Sequence, residues 1–528
     1  MTSELCWVER INVARSPPSA SHVVARQSDG ANGTTYPSYR ISPLDGSVIA
    51  LPTADQLAFQ DKEMGMLIHF EIATYISLDG CNGVPGLVPS PSLFTPTLLN
   101  TDQWMDSITA FGARYATLVA KHNCGWANWP SNVTFETREN TTSAYNYSVA
   151  YAPASVGGGG SSGGSGNGTA NLDVVGMFSA SAEKYGVGHG FYYSTIVNNF
   201  LNVQDSLVNA TWSPGEILVS NATYDEIVMA QLTELWTLYG DLTELWFDGG
   251  YSESQVEQIQ DLLQAYQPQA VVFNSCTTTT GVNGTCLSAN AIRWVGTETG
   301  LPGIEIWSTG VSNDGGDPTS PYYAPAECDT TLQADDRWFW GQDQPLRPLA
   351  EMIDVYHQTV GRNCILELDL SPDRSGLVPA RHAALYKALG DWIRACYDDP
   401  VSSALYTNTT IGGVDGDESA AGTGTGLSFA FEHPVAIDRV VMMEDQTDGQ
   451  VIRAYEADAS SSSSQPKQWT LVSNGSSIGH KRIDLFNKAI TVTDVLVNAT
   501  LFADTPKWRS VEFNLCGSAN STEGDWSS

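Results

Sequence analysis

Between residues 228 and 273 the apolar positions alternate between two periods. Val228, Leu232, Leu235, Trp236 and Tyr239 recur at helical spacing and put one apolar stripe on a helix, with Gly240 placed to stop it. Leu245, Trp246 and Phe247 then form a continuous apolar run, as in a strand buried on both faces. Val256, Ile259, Leu262, Leu263 and Tyr266 return to the helical period, and residues 270–273 form a second continuous run. The same alternation can be drawn around residues 115–120, 190–194 and 364–368, and it persists from about residue 100 to 395. This is the rhythm of repeated βα units, and it predicts an α/β fold with a parallel sheet closed as a (β/α)8-like (TIM) barrel.

After about residue 400 the pattern changes to short alternating runs, at 439–443, 468–472 and 493–497, broken by turns rich in Gly, Ser and Asp. That pattern predicts an all-β sandwich of about 120 residues. The expected organisation is an arm over 1–36, a catalytic barrel over 37–397 and a C-terminal β-sandwich over 398–528. The stretch GGGGSSGGSGNG at 157–168 reads as a flexible loop with no side chains able to pack.

In parallel barrels, chemistry gathers at the carboxyl ends of the strands. Three predicted strand ends here carry polar groups: His69 after 65–68, Lys121 and His122 after 115–120, and Asp248 after 245–247. Any one of them could simply cap its strand. Their coincidence marks a site.

The chain has 42% hydrophobic and 16% charged residues, enough apolar content to bury a large core. Its 59 Asp and Glu against 25 Lys and Arg leave a formal charge of -34, which repels phosphate backbones and anionic membrane surfaces. Neither nucleic acid nor membrane is an expected partner. No apolar run reaches the roughly 18 residues of a membrane span, and the first thirty residues lack the apolar centre of a signal peptide. About twelve Asn-x-Ser/Thr sequons nevertheless point to a secreted, glycosylated protein, which implies either that a signal has been removed from this chain or that its start is not the native one. Nine scattered cysteines without a CxxC pair suit a few disulfides better than a metal site, and the odd count leaves at least one unpaired.

Six segments now combine: GMLIHF (65–70), ATLVAKHNCGWANWPS (116–131), GHGFYYS (188–194), ELWFDGG (244–250), RWVGTETG (293–300) and NCILELDLSPDRSGLVP (363–379). Their content and order resemble the α-L-fucosidases of glycoside hydrolase family 29 over about residues 50 to 395. The similarity continues into IDRVVMMEDQTDGQVIRAYE and WTLVSNGSSIGHKRIDLF, which look like the β-sandwich of the plant-like branch. The resemblance implies a retaining hydrolase that removes terminal α-linked fucose from oligosaccharides or glycoprotein glycans, without metal or organic cofactor. It places the nucleophile at Asp248, beside two glycines expected to admit the sugar closely, and the acid/base on a variable loop at Glu298, with Glu305 as the alternative. It also places His69, His122, Tyr192, Trp246 and Arg293 around the sugar, Arg293 being equally able to serve a structural ion pair. Trp126 and Trp129 suit either the sugar face or the core.

Two positions depart from the family pattern. Asn123 and Cys124 stand where a histidine and an aspartate are usual, and Glu71 replaces a glycine, so that it either adds a carboxylate near the sugar or points away. Both changes fall in the inferred substrate shell. Two other readings therefore accompany the leading one: a carbohydrate-binding protein that has lost turnover, and a retaining hydrolase of a related sugar such as α-L-galactose.

Overall fold

The computed structural model describes residues 37–516 apart from 82–83, 85, 154–171, 210–216, 283–285, 412–421 and 463–465. The predicted arm and the glycine-rich 157–168 lie outside the described residues. Eight parallel strands close into a barrel: β1 (Met64–Ile68), β2 (Tyr115–Lys121), β3 (Gly188–Tyr193), β4 (Glu244–Trp246), β5 (Val271–Phe273), β6 (Ala291–Trp294), β7 (Ala326–Thr330) and β8 (Cys364–Leu370). They neighbour one another in chain order, and β8 pairs with β1 to complete the ring. All seven residues of β2 are buried, as are all seven of β8, because helices cover one face and the barrel interior fills the other.

Local signals set the helices. Around the barrel run α1 (Ala54–Gln60), α2 (Thr101–Phe111), α3 (Val174–Tyr185), α4 (Asn221–Leu238), α5 (Val256–Tyr266), α6 (Leu349–Gln358) and α7 (Ala380–Tyr397). Asn100, Asp173 and Ser220 cap α2, α3 and α4 by accepting backbone N–H bonds, and Gly112 and Gly186 end α2 and α3 in the left-handed conformation. The stripe predicted on α4 is the one buried, with Ile227, Val228, Leu232, Leu235 and Trp236 facing the sheet.

Among the described residues, two connections carry no α-helix: β5 to β6, and β6 to β7. The second is the long loop 295–325, and the C-terminal domain docks there. Ser476 and Ser477 donate backbone N–H bonds to Glu305 Oε2 at 3.1 and 2.7 Å, Arg482 Nη1 lies 3.5 Å from the same oxygen, and Ser308 N donates to Gln450 Oε1 at 2.8 Å.

The C-terminal domain comprises β9 (Tyr406–Ile411), β10 (Gly422–Thr423), β11 (Gly426–Glu444), β12 (Ile452–Ser460), β13 (Thr470–Gly475), β14 (Arg482–Phe502) and β15 (Lys507–Asn514), all antiparallel. Where short strands were expected, β11 and β14 run for 19 and 21 residues. Each serves both layers of the sandwich. The first part of β11 pairs with β9 and, as Gly426–Ala430, with 494–498 of β14; past an irregularity, 439–442 pair with 482–485 and with β15. The apolar alternation lapses over the exposed crossing at 432–436 while the strand itself continues, so pattern alone breaks it in two. A hairpin, Tyr39–Ile41 with Val48–Ala50, packs on this domain through Ile49 against Val451 and Ala503.

Four disulfides form: Cys81–Cys124, Cys276–Cys286, Cys328–Cys364 and Cys396–Cys516. The ninth cysteine, Cys6, lies outside the described residues. Cys396–Cys516 joins the end of α7 to the residue region after β15 across 120 positions. Cross-links that close long loops constrain the unfolded chain most, so replacing both cysteines with serine is expected to lower stability by about 2 to 5 kcal/mol. A denaturant melt checks this, and an unchanged midpoint would show that the domain contacts alone hold the pair together.

Candidate active site

The barrel interior is filled before the mouth is reached. Phe59 from α1 enters at one end, and Leu67, Tyr115, Val119, Tyr192, Trp246, Val271, Phe273, Ile292 and Ile365 form the inner cluster with it. Among these rings lie Glu244, Glu327 and Glu367, each fully buried, with carboxyl oxygens within 4.8 Å of one another. Thr117 donates to Glu244 at 2.5 Å, while Tyr115 and Trp246 donate to Glu327 at 3.0 Å each. Burial, with no basic side chain acting on the group, raises all three carboxyls above the ordinary range, and mutual repulsion adds to the shift at Glu244 and Glu367. This layer is a cluster of three carboxyls under the mouth in which burial favours the protonated forms.

Above it, the strand ends converge. His69 follows β1, His122 follows β2, Tyr192 lies on β3, and Asp248 ends the run that begins with β4. The Tyr192 hydroxyl donates to Asp248 Oδ2 at 2.8 Å. The Tyr192 ring stacks on His122 at 5.3 Å and on Trp246 at 5.2 Å, and Trp246 stacks on Phe273 at 3.8 Å. Trp246 is thereby part of the packed floor, its indole N–H committed to Glu327. Asp248 remains exposed at the rim. The glycines that follow it serve the chain's own packing: both have positive φ, and a Cβ on Gly250 would lie 2.1 Å from the Thr277 carbonyl oxygen.

Glu298 reaches the same space from the loop after β6. Trp338 Nε1 donates to its Oε2 at 3.1 Å. Burial raises the Glu298 carboxyl, and the negative charges of Asp248, Asp336 and Asp79 raise it further against the lowering effect of the Trp338 bond. The Asp248 charge also acts on His122 and Tyr192, so these four groups share one electrostatic environment. His69 Nδ1 pairs with Asp369 Oδ1 at 2.9 Å, and its ring meets Trp338 and Phe339 at 5.0 and 5.1 Å. Burial lowers the pKa of His69 and His122, at His122 against the raising effect of Asp248 and Asp79.

Other candidates fall elsewhere. Glu305 lies at the junction with the C-terminal domain, its carboxyl taken up by Ser476, Ser477 and Arg482. Arg293 is buried and spends its guanidinium on the carbonyls of Trp307 and Asp314, both at 2.5 Å, shaping the 295–325 loop. Trp126 and Trp129 are core residues, packed on Phe94 and Tyr147 and bonded to Glu234 respectively. Asn123 accepts the Cys81 N–H at 2.6 Å and Cys124 is disulfide-bonded to Cys81, so the departure at 123–124 secures a mouth loop. Glu71 is fully buried, with Oε1 accepting from Ala73 N at 3.2 Å, and burial pushes its carboxyl up to about 8. It caps the turn Ile72–Tyr75 as an internal acid.

Pattern reading missed Asp79, Asp329, Trp338, Phe339 and Asp369. Asp329 lies on β7, where acidic residues disguise the strand, and Asp369 lies on β8 within a quoted segment. Trp338 and Phe339 come from a loop without periodicity, and only the aromatic run WFW at 338–340 hinted at them.

A closed eight-stranded parallel barrel whose mouth presents two acidic groups among histidine, tyrosine and tryptophan has the architecture of a glycoside hydrolase. The alpha-L-fucosidase family profile matches residues 89–396. Alpha-L-fucosidase 1 of Arabidopsis thaliana is 27% identical over 400 residues, covering 72% of this chain and 67% of that protein. The structure of a glycoside hydrolase 29 family member from an unknown rumen bacterium superposes with a TM-score of 0.71 at 23% identity, covering 90% of this chain and 79% of the other. A Ruminococcus gnavus GH29 fucosidase in complex with fucose superposes at 0.67 with 19% identity, over 88% and 94% of the two chains. The chain belongs to the alpha-L-fucosidase family of glycoside hydrolases.

The raised carboxyls make stability depend on pH. Glu71, at about 8, and Glu444, raised by burial to about 7, hold protons that the unfolded chain releases near its ordinary 4.5. The folded state thus binds more protons, and stability falls as pH rises. The depressed histidines act the other way, because their unfolded value of 6.5 leaves them half protonated in the unfolded chain at that pH, and their contribution fades towards pH 8. The melting temperature is therefore expected to rise as pH is lowered from 8 towards 7. Glu71→Gln should remove about 1 kcal/mol per pH unit of that slope, close to the roughly 1.4 kcal/mol per unit carried by one proton. A slope unchanged in this variant would mean that Glu71 is ionised in the folded protein.

Proposed function

We propose that this protein is a secreted, exo-acting α-L-fucosidase that releases terminal α-linked L-fucose from oligosaccharides or glycoprotein glycans with retention of configuration. The observation that carries the reading is the contrast between two acidic groups in one mouth. Asp248 stands at the rim with one oxygen held by Tyr192, while burial and neighbouring charge favour the protonated form of Glu298. Asp248 Oδ1 attacks the anomeric carbon as Glu298 gives its proton to the glycosidic oxygen, expelling the aglycone alcohol and leaving a fucosyl ester on Asp248. Glu298, now a carboxylate, takes a proton from water, whose oxygen attacks the same carbon and frees Asp248.

His69 and His122, where burial favours the neutral imidazole, suit hydrogen bonds to sugar hydroxyls, and the rings of Trp338 and Phe339 beside them suit the apolar face and C6 methyl. The four disulfides and the many sequons support passage through an oxidising secretory route.

Asp248→Asn is expected to abolish hydrolysis of an aryl α-L-fucoside without unfolding the protein, and turnover near the wild-type rate in this variant would overturn the assignment. For the acid, Glu298→Gln should lower turnover of natural fucosides by about 10² to 10⁴ and spare an activated aryl fucoside in its first step. Azide should then rescue Glu298→Gln and give the fucosyl azide of retained configuration. Glu305→Gln should show neither effect, since its carboxyl serves the domain junction; rescue in Glu305→Gln alone would move the acid role there.

A further inference from the structure

Asp79 belongs to no predicted element and lies 169 positions from Asp248 in sequence, yet its charge acts on Glu298, His122 and Asp369. Its Oδ1 accepts the backbone N–H groups of Trp338 at 3.1 Å and Phe339 at 2.8 Å, and its Oδ2 lies 3.3 Å from the former. One carboxylate thus fixes two consecutive peptide groups of the opposite loop. The side chains carried by those peptides are the ones that matter: the Trp338 indole donates to Glu298, and the two rings flank His69.

The loop bearing Asp79 is itself anchored on both sides. After Asp79, Cys81 is cross-linked to Cys124, and its N–H is accepted by Asn123, directly beyond His122. Before Asp79, Arg374 Nη2 donates to Ser77 Oγ at 2.6 Å, and Arg374 Nε donates to the Thr74 carbonyl at 3.2 Å. Arg337 Nη2 donates to the Leu78 carbonyl at 3.0 Å and its Nε stands 3.8 Å from Asp79 Oδ1, joining the loops a second time. A surface loop with so many restraints is built to hold one side chain still.

We propose that Asp79 is a positioning residue for the acid/base, setting Glu298 through the Trp338 backbone and indole, and that the Cys81–Cys124 cross-link is the staple that makes this possible. The proposal rests on the acid/base role given above to Glu298. It accounts for the departure at residues 123 and 124: those positions hold the Asp79 loop in place. Substrate contact by Asp79 is not required.

The groups facing Glu298 are Asp248 after β4, Asp336 and Trp338 in the opposite loop, Asp79, and Asp329 on β7; Arg347 reaches the loop itself, donating to the Thr299 carbonyl at 3.1 Å. Removing a negative neighbour should lower the pH at which Glu298 loses its proton, and removing a donor to its carboxylate should raise it. The two contacts therefore have opposite signatures. Asp79→Asn keeps an Oδ1 acceptor for both N–H groups while removing the charge, and should move the basic limb of the kcat/KM profile to lower pH with the maximum largely preserved. Trp338→Phe removes the indole donor while keeping an aromatic ring beside His69, and should move that limb to higher pH. Asp79→Ala releases the Trp338 loop and should lower kcat for natural fucosides at least tenfold more than for an aryl fucoside of good leaving group.

These variants are compared with Glu298→Gln and with the two combined. In the Glu298→Gln background, Asp79→Ala should add little further leaving-group dependence. An equal loss by Asp79→Ala on both substrates, or a basic limb unmoved by Asp79→Asn and Trp338→Phe alike, would overturn the proposal by showing that Asp79 only supports the fold. Failure of azide to rescue Glu298→Gln would instead overturn the acid/base reading on which it rests, and the two failures are read from different variants.

Discussion

The barrel depends on close backbone approach between neighbouring strands, above all where β3 comes against β4. Gly190 marks the tightness of that seam: a Cβ there would lie 2.4 Å from the Glu244 carbonyl oxygen. Gly65 does similar service inside, where a Cβ would fall 2.1 Å from the Tyr115 ring. With those glycines the sheet returns on itself, and the carboxyl ends of eight strands are brought to one rim. The meeting of His69, His122, Tyr192 and Asp248, drawn from four strands, is a consequence of closure and not of any local preference.

The same closure separates two uses of one functional group. Carboxyls in the interior are surrounded by rings and one another, so burial favours protonation of Glu244, Glu327 and Glu367. Carboxyls at the rim each have a specific partner: a tyrosine hydroxyl donates to Asp248 and an indole to Glu298, where burial and nearby acids together raise the carboxyl. A few residues of height along a strand distinguish a structural acid from one available for chemistry.

What the sequence disclosed follows the same division. Elements with strong periodicity, such as α4 and the run into Asp248, were legible because burial of one face leaves its mark on residue order. The strand β8 was legible despite Glu367 and Asp369, whereas β7 was not, since inward acids at Glu327 and Asp329 interrupt an apolar pattern that the pairing does not need. The long strands β11 and β14 were read as fragments for a related reason: hydrogen bonding persists across exposed crossings where side-chain alternation stops. At the site, His69, His122 and Asp248 stood out at strand ends and Glu298 came from a motif resemblance, whereas the loop residues Asp79, Trp338 and Phe339 and the strand acids Asp329 and Asp369 did not stand out. Asp79 and Trp338 meet through backbone groups, which carry no identity in sequence. Arg293 and Glu305 were drawn toward the sugar by their place beside a motif, whereas tertiary structure turns both to holding the 295–325 loop.

That loop changes how the two domains should be regarded. Where the β6–β7 connection carries no α-helix among the described residues, the sandwich packs against the barrel through Gln450, Ser477 and Arg482. The sandwich is then masonry as much as appendage. Its edge and the barrel loop form a matched pair, with one carboxylate seated on two backbone amides and an arginine, so neither can drift freely in sequence without the other. An accessory domain borrowed from a distant relative would have to bring that seat with it, and the connection carrying Glu298 is the part of the barrel that would first feel a poor match.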